Sequence, residues 1–301
     1  MNSSRKDELH IQSIGTLAMD MLSTRQIAAI FGVTSRGIFV KFANNRMIFL
    51  SFENYRGPLT ANLSEGAEHL SSVSTEETVT ISQGEITFSK TGIQITTANS
   101  EIWKPSINTE TPLPPIDRIN LIRKIALDVQ QLDRVLGRSE MLPILAGLPL
   151  DYENRDNRFQ KMLTHIDKIR NQIALGDFLS LYQTTGMFLG LGSGLTPSGD
   201  DFVLGLTLSL NRWYSVFQPS NHLSIYNQKV VEDAYKSTTM LSANLIESAA
   251  SGLADERLIW AVDFLATGKY PYSKILSGLL SWGNSSGMDA FVGMITAFSS
   301  I

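Results

Sequence analysis

Hydrophobic positions follow one rule from about Arg25 to Trp103 and another after Asp117, so the chain changes structural class along its length. In the first stretch, RQIAAIFGV, GIFVKFA, RMIFLSF, TVTISQGEITFS and GIQITTA are runs rich in β-branched and aromatic residues. Turn formers at Asn44-Asn45, Gln83-Gly84 and Thr91-Gly92 separate them. That pattern predicts a mainly antiparallel β domain over residues 1–104, with the residues ahead of Arg25 as an N-terminal extension. The segment PSINTETPLPPID, from Pro105, holds four of the chain's 10 prolines. Proline cannot donate to a helix or sheet ladder, so 105–116 reads as a linker.

Beyond it, Ile119, Ile122, Ile125, Ala126, Val129, Leu132 and Leu136 recur at helical spacing. Further helices are expected near 154–175, 178–188, 199–216, 224–251, 255–267, 272–282 and 286–300. The fold class is therefore α+β, with a β-rich N-terminal domain and an all-α helical bundle over 117–301. Phe202–Leu210 and Ala290–Phe298 are apolar most of the way round, which places them at the bundle centre.

Composition narrows the chemistry. The 301 residues include no cysteine, which removes disulfides, thiolate metal sites and a cysteine nucleophile. The formal charge is -4 and no basic run occurs, so nucleic acid is not an expected partner. The N-terminus has no secretory pattern, and no stretch supplies the ~18 or more apolar residues of a spanning helix. The expectation is a cytoplasmic protein that does not engage a membrane.

Chemistry concentrates at GLGSGLTPSGDD, Gly190 to Asp201. Gly190, Gly192 and Gly194 exceed what a helix start needs, and such a loop can present successive N–H groups to an anion at the positive end of the helix. Gly192, Ser193, Gly194, Thr196, Ser198 and Gly199 are the expected ligand contacts. Asp200 and Asp201 would repel a bare phosphate, so the ligand either offers N–H donors to them, as a ureido-bearing acid does, or shares them with a magnesium ion. No lysine follows the glycines and no strand precedes them, which excludes the P-loop and dinucleotide patterns. No cofactor is required.

The pattern S-G-x-D-x-x-x-G occurs at Ser198–Gly205 and again at Ser286–Gly293, each time after a loop of small residues, GLGSGLTP or WGNSS. Recurrence of one helix-start solution explains this more simply than duplication of a domain. The plain reading of Ser198 with Asp201, and of Ser286 with Asp289, is a capping box. In each copy the later glycine, Gly205 or Gly293, would admit a neighbouring backbone. The functional reading adds Ser286 and Asp289 to the ligand site.

Elsewhere His10, His69, His165 and His222 are far apart and read as surface or interface residues. In KSTTMLSANL, expected within one core helix, Thr239 and Ser242 are supporting candidates for a pocket. Arg212, Lys236 and Arg257 could meet an anion, although solvated positions are the simpler expectation.

At GLGSGLTPSGDDFVLG the chain resembles a bacterial family of uncharacterised domains with a GLG-x-GLTPSGDD signature. It is also similar in the threonine/serine segment STTMLSANL and the late GNSSGMDAFVG stretch, and the likeness spans most of 25–301. One member of that family is a subunit of the oxamate carbamoyltransferase complex of allantoin degradation, a branch of purine catabolism, in which oxalurate and phosphate give oxamate and carbamoyl phosphate. The resemblance implies a carbamoyltransferase-like complex, other subunits as partners and a small carbamoyl or carboxylate ligand. Asp200 and Asp201 would then be its catalytic residues, a homo-oligomer being compatible. A non-catalytic ligand-binding or assembly subunit, or a metal-dependent hydrolase using the aspartates, are the alternatives.

Overall fold

A computed structural model describes residues 8–64, 67–106, 110–136, 157–217 and 222–301. The chain forms two compact units, Met1–Ser106 and Ile107–Ile301.

In the first unit, strands β1 (Glu8–Gly15), β2 (Gln26–Thr34), β3 (Gly37–Lys41), β4 (Met47–Ser51), β5 (Thr60–Leu63), β6 (Thr78–Ser82), β7 (Glu85–Phe88), β8 (Gln94–Thr96) and β9 (Glu101–Trp103) form one sheet. Its order is β5-β4-β3-β2-β6-β7-β8-β1-β9, and β1 also pairs with β5, so eight strands close into a barrel. The pairings are mostly antiparallel; β1–β8, β1–β9 and β4–β5 are parallel. Predicted turns fall where expected, with positive φ at Asn45, Gln83, Gly84 and Gly92. Residues 8–24, expected as an extension, are not an appendage. β1 is the strand that completes the barrel, and helix α1 (Thr16–Ser23) buries Ala18 and Leu22 in the barrel core. β1 alternates at period 2, with Leu9, Ile11 and Ser13 buried and His10 and Gln12 exposed, but the run is short and α1 follows it directly.

The second unit holds α2 (Pro115–Leu136), α3 (Asn157–Leu175), α4 (Phe178–Gly186), α5 (Ser198–Ser209), α6 (Leu223–Ser237), α7 (Met240–Ala250), α8 (Glu256–Thr267), α9 (Tyr272–Ser281) and α10 (Ser286–Phe298). A π-helical turn at Leu210–Tyr214 and one further turn extend α5 to Phe217. In α2, Ile122 and Ile125 are buried while Ile119 is 38% exposed; the side chains of Ala126 and of the expected core positions from Val129 onward, and the expected helix start at 154, lie outside those described.

Helix α10 is buried from end to end and α5 from Gly199 onward, as their all-round apolarity predicts, and the two pack on each other more extensively than any other pair of described elements. Hydroxyls within this core bond back to the preceding turn, Ser209 to the Gly205 carbonyl at 2.8 Å and Thr296 to Val292 at 2.9 Å, so their burial leaves no orphan.

The single helix expected over 224–251 is two. Thr238 is extended, and Thr239 has the N-cap conformation, accepting from the Ser242 amide at 3.1 Å. β-Branched residues tolerate the extended backbone, and a threonine hydroxyl caps the next helix, so the pair breaks what continuous periodicity suggested.

Among the described residues, no helix is long and apolar enough to cross a membrane.

Candidate active site at two helix starts

The glycine loop leads from the end of α4 into α5. Gly190, Gly192 and Gly194 all have positive φ, at 75°, 118° and 97°, which explains the number of glycines better than helix entry does. The loop is pinned at three points by the α6–α7 break. A Cβ on Gly190 would lie 2.8 Å from the Ser237 carbonyl oxygen. The Thr239 hydroxyl donates to the Leu195 carbonyl at 2.6 Å, and the Thr238 hydroxyl donates to Asp200 Oδ2. Asp200 Oδ1 accepts the Gly190 amide at 2.7 Å, so this buried side chain ties the loop's first glycine to α5. Sequence reasoning named Thr239 and missed Thr238, whose hydroxyl points along no helical stripe.

Gly192 to Leu195 and Ser198 are exposed, Thr196 is half-buried and Pro197 is buried. The amides of Gly192, Ser193, Gly194, Leu195, Thr196 and Ser198 have no acceptor among the described residues. A cavity of about 170 Å³, lined by Lys161, Met162, His165, Met187, Phe188 and Leu191, flanks the loop where it leaves α4.

The capping-box reading does not hold at either helix. Pro197 and Ser285 occupy the N-caps, neither helix has a side-chain cap, and Ser198 and Ser286 sit one position inside. With the caps there, Asp201 and Asp289 lie one position beyond the acid of a capping box. They share one site: the Asp289 charge acts on Asp201, and the Thr196 and Ser286 hydroxyls join the two helix starts at 3.0 Å. Asp201 is 1% exposed, and its Oδ2 has no hydrogen-bond partner among the described residues. Burial pushes its carboxyl well above the ordinary carboxylate range; hydrogen bonds from Ser286 and Thr196 pull back, and the charges of Asp289 and Asp200 push further.

Ser242 is buried behind the loop and contacts Thr239 at 3.1 Å, Gly199 lies under the loop, and Ser193 and Ser198 are exposed. Thus the structure gathers Gly192 to Asp201 with Ser286 and Asp289, and puts Thr239 and Ser242 in support. Asp200 and Asp201, paired in sequence as catalytic groups and metal ligands, have different surroundings: Asp200 is engaged at both oxygens, Asp201 at the helix junction. Among the described residues no group of three or more His, Cys, Asp or Glu is placed to hold a metal ion.

The expected solvated arginines are instead buried. Arg212 makes a two-bond pair with Asp263 at 3.0 and 2.8 Å, which also accepts Trp213 Nε1 at 3.0 Å, and Arg257 pairs likewise with Asp255. Lys236 is solvated, its side chain 69% exposed. His10 is exposed on β1, His165 packs edge-on to Phe188, His222 stands at the α6 N-cap, and the His69 side chain lies outside those described.

Residues 188–298, which run from the loop through α10, match the family model described as oxamate carbamoyltransferase subunit AllH. No solved structure matches the chain.

Proposed function

We propose, from the match of residues 188–298 to the family model of oxamate carbamoyltransferase subunit AllH, that this protein is a subunit of a carbamoyltransferase complex whose small ligand binds between the glycine loop and the start of α10. The observation that carries the reading is Asp201, a buried carboxyl with an unpartnered oxygen at the junction of two helix N-termini. Leaving such a group unsatisfied costs roughly 1–3 kcal/mol, a cost that a ligand N–H would offset.

Oxalurate has the matching chemistry. Its ureido N–H groups suit the aspartate, while its carboxylate, or the phosphate that accepts the carbamoyl group, suits the open amides of Gly192 to Ser198. Carbamoyl transfer needs two ligands held in line and developing charge stabilised, and it does not need a covalent enzyme intermediate. Asp201, Asp289, Thr196, Ser286 and the loop amides would contact ligand. Asp200 becomes a positioning residue, because both its oxygens hold the loop. Other subunits of the complex are the expected protein partners, and the pathway expected is allantoin degradation.

The test is carbamoyl phosphate formation from oxalurate and phosphate by the assembled complex. Asp201→Asn should lower turnover by about two orders of magnitude, the scale for removing one preorganised polar group. Undiminished turnover overturns the reading.

A further inference from the structure

The sequence echo between Ser198–Gly205 and Ser286–Gly293 is repeated bond for bond in the structure. In α5 the Asp200 and Asp201 amides both donate to the Pro197 carbonyl; in α10 the Met288 and Asp289 amides both donate to Ser285. The second residue of each helix reaches further back, Gly199 to the Leu191 carbonyl and Gly287 to Trp282. Each of these glycines lies on the main chain of the preceding segment: a Cβ would come within 2.0 Å of the Phe188 oxygen at Gly199 and of the Leu279 oxygen at Gly287. The later glycines lock the helices together, Gly205 against the Ala290 oxygen and Gly293 against Phe202.

This equivalence leaves the same donor open twice. The first amide of each helix, Ser198 N–H and Ser286 N–H, has no acceptor among the described residues. Over each stands a positive-φ glycine. A Cβ on Gly192 would lie 2.8 Å from Ser198 N, and one on Gly283 would lie 2.8 Å from Ser286 Oγ and 3.7 Å from its N. The missing side chains keep both places clear. Between the two starts lies the unpartnered Asp201 oxygen, and Thr196 and Ser286 bring the starts within hydrogen-bond reach of each other.

We propose that the two helix starts are a matched pair of oxyanion cradles, one under Gly192 and one under Gly283, which hold two small anions side by side with Asp201 and Asp289 between them. The identity of the anions rests on the function proposed above: inorganic phosphate and the carboxylate of an oxamate-like acid. Phosphate takes the Gly192 cradle, where the loop from Gly192 to Thr196 supplies additional open amides for its oxygens; the repulsion expected from the two aspartates is relieved because both Asp200 oxygens accept hydrogen bonds and burial favours the neutral Asp201 carboxyl. The shorter Gly283 loop takes the carboxylate. Beyond the Ser286 and Asp289 side chains, the second cradle extends the site to the main chain of Trp282–Ser286.

Calorimetric titration of the assembled complex with phosphate and with oxamate, singly and then each in the presence of the other, tests this. Both anions should bind together, with phosphate affinity in saturating oxamate not more than about twofold weaker. Gly192→Ala should weaken phosphate about tenfold, the scale of one lost charge-assisted hydrogen bond, and leave oxamate within about twofold. Gly283→Ala should do the reverse. Mutual exclusion of the anions from wild-type complex overturns the proposal without recourse to a variant, as does equal weakening of one ligand by both substitutions. Two anions bound without carbamoyl phosphate formation would uphold the cradles and refute the proposed function; turnover with mutually exclusive binding would do the opposite. Failure of either anion to bind refutes the cradles.

Discussion

Replacing Gly205 with alanine puts a methyl group where two main chains already touch. Its Cβ would lie 1.8 Å from the Ala290 carbonyl oxygen and 2.6 Å from the carbonyl carbon, against about 3.4 Å for ordinary contact. No rotamer relieves this, since both obstacles are backbone, so α5 and α10 must part by about 1.6 Å at their crossing. A gap of even ~0.5–1 Å forfeits a quarter to a half of each contact's dispersion energy, and these two helices are buried from Gly199 and Ser286 onward. Overpacking costs ~1–3 kcal/mol where side chains adjust, so ~3 is the lower bound here. Alanine's better helix propensity returns ~1 kcal/mol. The net loss of ~2 kcal/mol or more corresponds to a Tm lower by roughly 4–8 °C in a unit of this size. Far-ultraviolet circular dichroism of the helical transition measures it directly. Gly293→Ala should behave alike, and the double variant should cost less than the sum, because the first methyl already separates the helices. An unchanged or raised Tm for Gly205→Ala would refute the reciprocal-glycine crossing, and with it the geometry that brings Asp201 to Asp289.

Thr238→Val removes the hydroxyl that donates to Asp200 Oδ2 and should cost about 1–3 kcal/mol in a denaturant melt, with weaker turnover as the loop loosens. Asp263→Ala strands the buried Arg212 guanidinium and should cost about 3–5 kcal/mol, while Asp255→Ala, whose carboxylate is more exposed, should cost less. Asp201 gives a pH signature. Its folded pKa lies above the unfolded value, so the native state binds the extra proton and wild-type stability falls as pH rises through that interval. Asp201→Asn removes this dependence, with Asp289 and Asp200 still present. Melts at pH 5 and pH 8 should therefore show the variant gaining on wild type at the higher pH, and a constant difference would contradict a buried, desolvated Asp201.

Legibility in the sequence followed how local each cause was. Turn chemistry at Asn45, Gln83-Gly84 and Gly92 and the stripes of α3 to α5 and α8 to α10 are local, and they appear where predicted. The loop was visible because three positive-φ glycines have no cheaper substitute. Non-local features were not legible. β1 is held as a strand by partners about 50 to 90 residues away, and Thr238 acts through a carboxylate on another helix. The difference between Asp200 and Asp201 was hidden for the same reason: adjacent residues on a helix start point about 100° apart, one into the threonine break and the other toward α10. The repeated pattern was readable as letters, but its capping interpretation placed the serines one position too early.

The barrel's closure has a consequence for how the chain is made. β1 pairs with Leu63, Gln94 and Glu101, so it stays unmated until β5 has emerged and is flanked on its other side only after β8 and β9. Such long sequence separations make this the slow step of assembly. Deleting β1 would strip cover from the edges of β5 and β8 together, inviting strand exchange between molecules.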